Sequence, residues 1–271
     1  MSERYFCAEP IQTERVQLTG PEAHHLLHVM RAPVGTRVVL FDGSGWEFEA
    51  ELVRAAHQEA EFLVRHRAYV DRELPVLLLL GVAMPKGDRQ KWLVEKAVEL
   101  GVGRLVPLIT TRSVVQPGPG MLQRLRRTVI EASKQCGRNH LMHIDLPIQA
   151  GEWFSACAQA KLRWLAHPPR PACSEEPGLS KSAALLKIAA AQMPEVPLRE
   201  EHSGQMKPLW AVAVGPEGGW TESELAAAQS AGWQLVSLGP RILRTETAAL
   251  TLAALLSHRA TVAFPPASAV S

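Results

Sequence analysis

The sequence lacks the features of stapled, redox-active and membrane-spanning proteins. Only four cysteines occur among 271 residues, and none forms a CxxC pair, which argues against zinc ribbons and redox motifs and favours reduced thiols. The longest uninterrupted apolar run, at residues 75–85, falls short of the roughly 18 residues that a spanning helix needs. The amino terminus shows no apolar segment of a secretory signal, so we expect a cytoplasmic protein without a membrane partner.

An excess of one charge is also missing. The 29 basic and 27 acidic residues leave a net charge of +2, so bulk charge does not mark a nucleic-acid-binding protein. The distribution is less even, because residues 122–138 contain five basic residues and a single acidic one. The hydrophobic fraction of 46% is globular, and the chain length predicts about two domains.

The first part of the chain has the pattern of a small β domain. Polar and apolar residues alternate cleanly over residues 46–53, after a glycine-rich turn, as expected of a half-buried strand. A short helix with proline in its first turn is predicted at residues 21–30. We predict a small β-barrel-like domain at residues 1–72, with further strands at residues 15–19, 37–41 and 61–70.

After residue 73 the pattern changes to strands that alternate with helices. The continuously apolar residues 76–83 are typical of a strand buried on both faces of a parallel sheet. The alternation predicts an α/β domain with a mostly parallel sheet over residues 73–271. Its further strands are predicted at residues 104–109, 141–144, 162–166, 209–214 and 233–238, and its first helices at 88–100, 120–136 and 152–160. A surface insertion at about residues 168–207, with an amphipathic stretch at 179–193, interrupts this rhythm.

Two glycine-rich segments follow predicted strands and open predicted helices. In VGPEGGWTESEL at residues 214–225, Thr221 and Glu224 form a capping box after three loop glycines. This design suits a small-ligand site, although glycine also serves in a plain tight turn. In LGPRILRTETAAL at residues 238–250, Thr245 is the predicted N-cap and Glu246 suits the helix dipole. Two such turns at one sheet end predict a shared crevice.

Basic and histidine clusters leave their functions open. Helical spacing places Arg127, Glu131 and Lys134 near one face, which is either solvated or a strip that contacts RNA phosphates. The loop KGDRQK at residues 86–91 is likewise an exposed loop or a nucleic-acid surface. The histidines at positions 24, 25 and 28 lack the glutamate of an HExxH motif and a third ligand, so we expect no metal site.

Five segments, in order along nearly the whole chain, resemble the ribosomal RNA small subunit methyltransferase E family of the SPOUT (α/β-knot) superfamily. They are HHLLHVMR at residues 24–31, KGDRQKWLVEKAVELG at 86–101, EASKQCGR at 131–138, GPEGG at 215–219 and LGPRILRTETA at 238–248. The resemblance implies an amino-terminal PUA-like barrel and a carboxy-terminal domain with a deep trefoil knot. It also implies a homodimer that uses S-adenosylmethionine to methylate N3 of a uridine in 16S ribosomal RNA, within the small subunit.

The resemblance implies three groups of site residues. The knot loops would hold the cofactor through Leu165, His167, Gly215, Pro216, Glu217, Gly218, Gly219, Leu238, Gly239, Ile242 and Leu243. Arg244 would favour the anionic form of the base, with Glu246 or Arg138 in orientation or proton handling. The expected RNA contacts are His25, Arg31, Lys86, Arg89, Lys91, Arg127 and Lys134.

Overall fold

The structure, a computed structural model, describes residues 3–168 and 207–264 of the chain. Internal contacts divide it into two units, Met1–Glu73 with Val129–Leu141, and Leu74–Thr128 with Met142–Ser271. The sequence prediction has one boundary, between residues 72 and 73, whereas the structure also assigns the second half of a long helix to the first unit. The reason is that the packing of a helix is not visible in its own sequence pattern.

The first unit is built on a five-stranded sheet with the order β1-β3-β4-β5-β2. Its described elements are β1 (Arg4–Phe6), β2 (Arg15–Thr19), α1 (Gly20–His24), β3 (Arg37–Phe41), β4 (Trp46–Ala55) and β5 (Glu59–Tyr69). All neighbouring strands in this order are antiparallel except β1 and β3. Alternation in β4 sends Phe48, Ala50 and Leu52 into the core of the unit, where they are buried.

The predicted helix at residues 21–30 consists of two pieces. After α1 the backbone widens into one π-helical turn, His25–Val29, in which the Met30 N–H donates to the His25 carbonyl at 2.9 Å. Leu26 points into the core and is fully buried. The turn ends at Arg31, whose φ of 53° lies in the left-handed region that few residues other than glycine adopt.

The second unit is an α/β layer structure. Its described elements are β6 (Leu77–Val82), α2 (Arg89–Glu99), β7 (Arg104–Ile109), α3 (Pro119–Cys136), β8 (His143–Ile144), β9 (Ile148–Gln149), α4 (Ala150–Ala156), β10 (Leu162–Ala166), β11 (Leu209–Val214), α5 (Glu222–Ser230), β12 (Gln234–Val236) and α6 (Thr245–Ala263). The second half of α3 belongs to the first unit. The seven-stranded sheet has the order β12-β10-β11-β6-β7-β8, with β9 paired to β7, and its pairs are parallel. The predicted α/β class with a parallel sheet is therefore confirmed.

Burial on both faces explains the apolar runs in the central strands. Trp210 and the residues after it in β11 are buried in succession, and Leu78 and Leu80 of β6 are fully buried. Close helix packing explains the glycine in β6, because a Cβ atom on Gly81 would lie 2.4 Å from Trp153 Nε1 of α4. Helix α4 is thus packed tightly against the sheet at β6.

Helix α6 packs on strands β6 and β11, and helix α2 packs beside α6. Near their carboxyl-terminal ends, the Ser257 hydroxyl donates to the Leu100 carbonyl. Near their starts, Arg89 Nη1 lies 3.5 Å from Glu246 Oε1. Arg89 and Leu100 are 11 positions apart, and so are Glu246 and Ser257. The two helices therefore run parallel, with one contact near each end. Although α6 is long and apolar, no helix in the described ranges meets the requirements for crossing a bilayer.

Several predicted elements differ in extent from the observed ones. β1 and β9 were not predicted, because three and two residues are too few to show a period. The predicted helix at 152–160 is α4, which begins at Ala150 and closes in a turn after Ala156. The predicted strands at 141–144 and 233–238 shorten to β8 and β12. Residues 169–206 of the predicted insertion, including the amphipathic stretch at 179–193, lie outside the described residues.

Candidate functional site

A cleft opens where the carboxyl ends of three parallel strands meet. The register pairs Ala166 of β10 with both Val214 of β11 and Val236 of β12, so the loops after these strands leave the sheet side by side. This edge of a parallel sheet is where α/β proteins usually bind small ligands. The three-loop cleft is lined by Ala166, His167, Pro168, Val214, Gly215, Pro216, Glu217, Gly219, Trp220, Leu238, Gly239, Arg241, Ile242, Leu243, Thr245 and Ala248.

The loop after β11 is fixed by an indole ring. A Cβ atom on Gly215 would lie 2.8 Å from the Trp220 ring, so any larger residue there would displace that ring. Trp220 Nε1 donates a 3.1 Å hydrogen bond to the Ala166 carbonyl at the end of β10. Gly219 has a φ of 70°, which lets the loop turn back between these fixed points. Trp220 therefore joins the first and second loops of the cleft.

The predicted capping box at the start of α5 is confirmed. Thr221 Oγ1 accepts from the Glu224 N–H at 3.2 Å, and Glu224 Oε2 accepts from the Thr221 N–H at 2.8 Å. The other carboxylate oxygen of Glu224 accepts from the Thr111 N–H at 2.8 Å. Burial raises the pKa of Glu224, but these hydrogen bonds outweigh burial and hold the pKa below its ordinary value. The carboxylate thus anchors the helix that follows the cleft.

The predicted N-cap role of Thr245 is wrong. Thr245 is the first residue of α6, and Arg244 occupies the N-cap position without a side-chain capping bond. The Thr245 hydroxyl instead donates to the Gly215 carbonyl at 3.1 Å in a buried hydrogen bond. The Thr245 hydroxyl therefore binds a carbonyl that is distant in sequence and does not cap its own helix. This hydrogen bond joins the second and third loops.

Charged groups gather beside the cleft at the starts of α2 and α6. Arg89 Nη1 lies 2.6 Å from Glu217 Oε1 and 3.5 Å from Glu246 Oε1; we term this arrangement the Arg89 bridge. The Glu217 side chain is 54% exposed and that of Glu246 is 6% exposed. The hydrogen bond from Arg89 lowers the pKa of Glu217, and the charges of Lys86 and Arg244 lower it further. Glu217 is therefore a carboxylate at neutral pH.

A second arginine supports the same loop from outside the cleft lining. Arg112 Nη1 donates to the Gly218 carbonyl at 2.8 Å. A Cβ atom on Gly218 would lie 3.3 Å from Arg112 Cβ, so this side of the loop is closely packed. Arg112 thus contacts the backbone of the loop, whereas Arg89 contacts its carboxylate.

The structure brings together most of the residues predicted to bind a cofactor. Leu165 is an exception, because it is fully buried in the core of the second unit. Gly218 is the other, since it faces Arg112. The predicted residues that line the cleft are His167, Gly215, Pro216, Glu217, Gly219, Leu238, Gly239, Ile242 and Leu243. Their role in binding a cofactor stays a prediction.

The three predicted catalytic residues lie in different environments. Arg244 is exposed, immediately before α6. Glu246 is buried in the first turn of α6. Arg138 belongs to the first unit, where it is 4% exposed and its Nε donates to Glu73 at 2.8 Å. Catalytic roles for these residues stay predictions, and the burial of Arg138 against Glu73 shows a structural task within its own unit.

The residues predicted to contact RNA also differ in availability. Lys134 is largely buried and lies 3.0 Å from Glu22, and Arg89 is engaged in the bridge described above. The remaining predicted contacts are exposed: His25 and Arg31 in the first unit, and Lys86, Lys91 and Arg127 in the second. RNA contact by these residues stays a prediction.

The histidine cluster engages in local contacts. The His24 and His28 rings lie 5.0 Å apart, and His28 Nε2 is 2.9 Å from the His57 carbonyl oxygen. In the part of the chain that the structure describes, no group of three or more histidine, cysteine, aspartate or glutamate residues could hold a metal ion.

The sequence did not predict the contacts that Arg89, Trp220 and Thr245 make at the cleft, since it gave Arg89 as an RNA contact and Thr245 as an N-cap. Trp220 and Thr245 stand within the glycine-rich segments, yet their tasks depend on partners in other loops. Arg89 follows β6, which pairs with β11 so that Val82 is opposite Val214. The order of the strands in the sheet cannot be read from their apolar sequences. The sequence therefore did not indicate that Arg89 lies beside the loop after β11.

Two family models match the chain. The RNA methyltransferase domain model matches residues 72–257, which is more than half of the chain. The RNA methyltransferase PUA domain model matches residues 18–64, in the first unit. The first unit therefore includes a PUA-type domain, and most residues of the methyltransferase domain model belong to the second unit.

Individual relatives agree with these models. Ribosomal RNA small subunit methyltransferase E from Synechocystis is 31% identical over 240 residues, with 89% of this chain and 72% of the relative covered. The Bacillus subtilis protein of the same name is 27% identical, with 89% of each chain covered. The crystal structure of the Neisseria gonorrhoeae protein of that name, bound to S-adenosyl methionine, superposes with a TM-score of 0.77 at 30% identity, covering 95% of this chain and 98% of the other. The fold, the three-loop cleft and these matches together show that the chain belongs to the ribosomal RNA small subunit methyltransferase E family.

Proposed function

We propose that this protein transfers a methyl group from S-adenosylmethionine to N3 of a uridine in 16S ribosomal RNA. The observation that carries the proposal is the three-loop cleft, which lies at the edge of a parallel sheet in a chain 30% identical to a relative with bound S-adenosyl methionine. Family membership supports ribosomal RNA as the substrate class. The choice of N3 rests on the resemblance of the sequence motifs.

The walls of the cleft suit such a donor. Aliphatic side chains such as Leu238 and Ile242 suit an adenine ring, while Gly239, with a φ of 110°, exposes backbone groups that can hydrogen-bond its edge. The Glu217 carboxylate lies in the lining, where it suits the positive charges of the donor. When bound, S-adenosylmethionine supplies a methyl group that is activated by the sulfonium.

Residues at the start of α6 are placed to act on the uracil. Arg244 is exposed beside the cleft residues Leu243 and Thr245, and its fixed charge favours uracil in the form that has lost the N3 proton. Glu246 is buried, so we assign it to orientation rather than to direct proton transfer. Water is our candidate for the proton acceptor. A part for Arg138 in orientation rests on the resemblance of the sequence motifs alone.

The PUA-type unit and the exposed cations are proposed to hold the RNA. N3 lies on the Watson–Crick edge, so the uridine must be unpaired and unstacked when it enters the site. A net charge of only +2 favours a local grip on an assembled small subunit over indiscriminate binding. With ribosomal RNA as the proposed substrate, we propose that the protein acts in the cytoplasm.

We also propose that the carboxy-terminal domain is knotted and that the protein is a homodimer with the active site near the subunit boundary. The resemblance to the SPOUT superfamily supports the knot. Exposed apolar side chains support the dimer, because Trp92 of α2 and Leu255 and Val262 of α6 are 45%, 43% and 66% exposed.

The proposed function is tested by transfer to small ribosomal subunits that lack the modification. The purified protein, S-adenosylmethionine and these subunits should yield 3-methyluridine, and RNA from a deletion strain should lack one methyluridine, both measured by mass spectrometry of nucleosides. A 2′-O-methylated nucleoside would instead identify a ribose methyltransferase. A folded protein that binds no S-adenosylmethionine in calorimetry would indicate an RNA-binding or assembly factor, and the proposal would be wrong.

A further inference from the structure

We propose that Arg89 is a positioning residue of the three-loop cleft, which compensates the buried Glu246 carboxylate and holds Glu217 at the cleft wall. This inference rests on the proposed function, because the ligand of the cleft is taken to be S-adenosylmethionine. The sequence suggested a different role, in which Arg89 contacts RNA as part of the basic loop at residues 86–91. A positioning role predicts that loss of Arg89 weakens cofactor binding, whereas an RNA contact predicts that it weakens RNA binding alone.

Glu246 needs a compensating charge. Its side chain is 6% exposed, and within the described residues its Oε2 atom is buried without a hydrogen-bond partner. A buried carboxylate that loses its only cation is strongly destabilising, whereas a surface carboxylate is not. Arg89 is within ion-pair distance of Glu246 Oε1, and the positive end of the α6 helix dipole assists it.

The elements packed against α6 supply few other charges. The strands β6 and β11 carry no titratable side chain, and among the charged residues of α2 the one within ion-pair distance of Glu246 is Arg89. Nearby, Glu217 shares Arg89, and Arg244 precedes the first turn of α6. On α6 itself, His258 and Arg259 are about three turns further along the helix. Arg89 is therefore the cation that lies within ion-pair distance of Glu246 among these groups.

The same guanidinium nitrogen reaches the wall of the cleft. Arg89 Nη1 is 2.6 Å from Glu217 Oε1, and Glu217 lines the cleft together with its neighbours Pro216 and Gly219. One arginine thus connects the start of α2, the loop after β11 and the first turn of α6. An ordinary exposed ion pair would contribute little to this loop, but the buried partner Glu246 fixes where the guanidinium stands.

The direct test measures the affinity for S-adenosylmethionine by calorimetry. We expect Arg89→Ala to weaken binding at least fivefold, because Glu246 loses its counter-charge and Glu217 is released. The double variant Arg89→Ala, Glu246→Gln should recover the part of that loss that comes from Glu246, at least twofold in affinity, since a neutral amide needs no cation. A side chain that merely helped α2 to start would show no such recovery. Should Arg89→Ala not fold, Arg89→Gln, which is closer in length, carries the same comparison.

Arg112→Ala is the matched control, because Arg112 supports the same loop through the Gly218 carbonyl. Its affinity loss should not be restored by Glu246→Gln. Equal cofactor affinity of Arg89→Ala and wild type, or a loss of RNA affinity alone, would overturn the inference while leaving the proposed function intact. Failure of the wild-type protein to bind S-adenosylmethionine would overturn the proposed function, and the inference with it.

Discussion

Single side chains around the cleft act chiefly through partners that are distant in sequence. Trp220 donates to Ala166, and Thr245 donates to Gly215. The sequence indicated that glycines and a capping threonine would be present, because their local conformational preferences are strong. It could not indicate these partners, because the neighbouring residues in the sequence do not determine which distant carbonyl a hydroxyl or an indole N–H will bind. The error at Thr245 is of this kind.

At residue scale, Arg244 offers the sharpest test of chemistry. We expect Arg244→Ala to lower kcat/KM for methyl transfer by about 10²–10³-fold, the range typical for loss of one group that stabilises developing negative charge. The melting temperature and the affinity for S-adenosylmethionine should stay close to wild type, because the side chain is exposed. Steady-state kinetics with small-subunit RNA and calorimetry measure these quantities.

Arg163→Ala is a suitable control for that experiment. Arg163 lies near the amino end of β10, away from the cleft, and donates to the Ala158 carbonyl at 2.8 Å. Its kinetics should match those of wild type. Full turnover by Arg244→Ala would remove Arg244 from the chemistry.

At the scale of elements, periodicity predicted the strands that surround the cleft. β10 and β11 agree with their predicted bounds, because each is a short, mostly apolar segment, and its length and its flanking polar, proline or glycine residues favour a strand. The π-helical turn at His25–Val29 was not predicted, since its hydrophobic spacing is that of an ordinary helix. The assignment of residues 129–141 to the first unit also had no local signal, because Lys134 and Arg138 find their partners Glu22 and Glu73 only in the folded chain.

The capping box gives a prediction for the element α5. The pKa of Glu224 is lowered in the folded state, so its stabilising effect is complete above the ordinary glutamate pKa of about 4.3 and is lost as the pH falls through the folded-state value. Glu224→Gln should therefore lower the free energy of unfolding by about 1 kcal/mol at pH 7, and the difference from wild type should shrink below about pH 4. Urea unfolding at several pH values measures it.

Glu222→Gln is the control, because Glu222 shares the first turn of α5 but is exposed. It should change the unfolding free energy by no more than about 0.5 kcal/mol. A Glu224→Gln difference that stays constant from pH 7 to pH 3 would contradict the assigned role of the carboxylate.

On the scale of the whole molecule, the two units should respond differently to the cofactor. S-adenosylmethionine at about 100 times its Kd should raise the free energy of unfolding of the second unit by about 2.7 kcal/mol. Hydrogen exchange should slow in residues 215–219 and 238–243, which contribute the cleft lining. Amides of β3 and β4 in the first unit should exchange at unchanged rates, and slowing confined to those strands would contradict the location of the site.

The paired helices α2 and α6 have a mechanical consequence. They are fastened at one end by Arg89 and Glu246 and at the other by Leu100 and Ser257, with equal spacing along both helices. Eleven residues of helix span about 16 Å, so the contact beside the cleft and the contact at Leu100 lie about that far apart along the pair. If the two helices move as a unit, binding of a ligand in the three-loop cleft would also shift the residues around Leu100, at the other end of the pair.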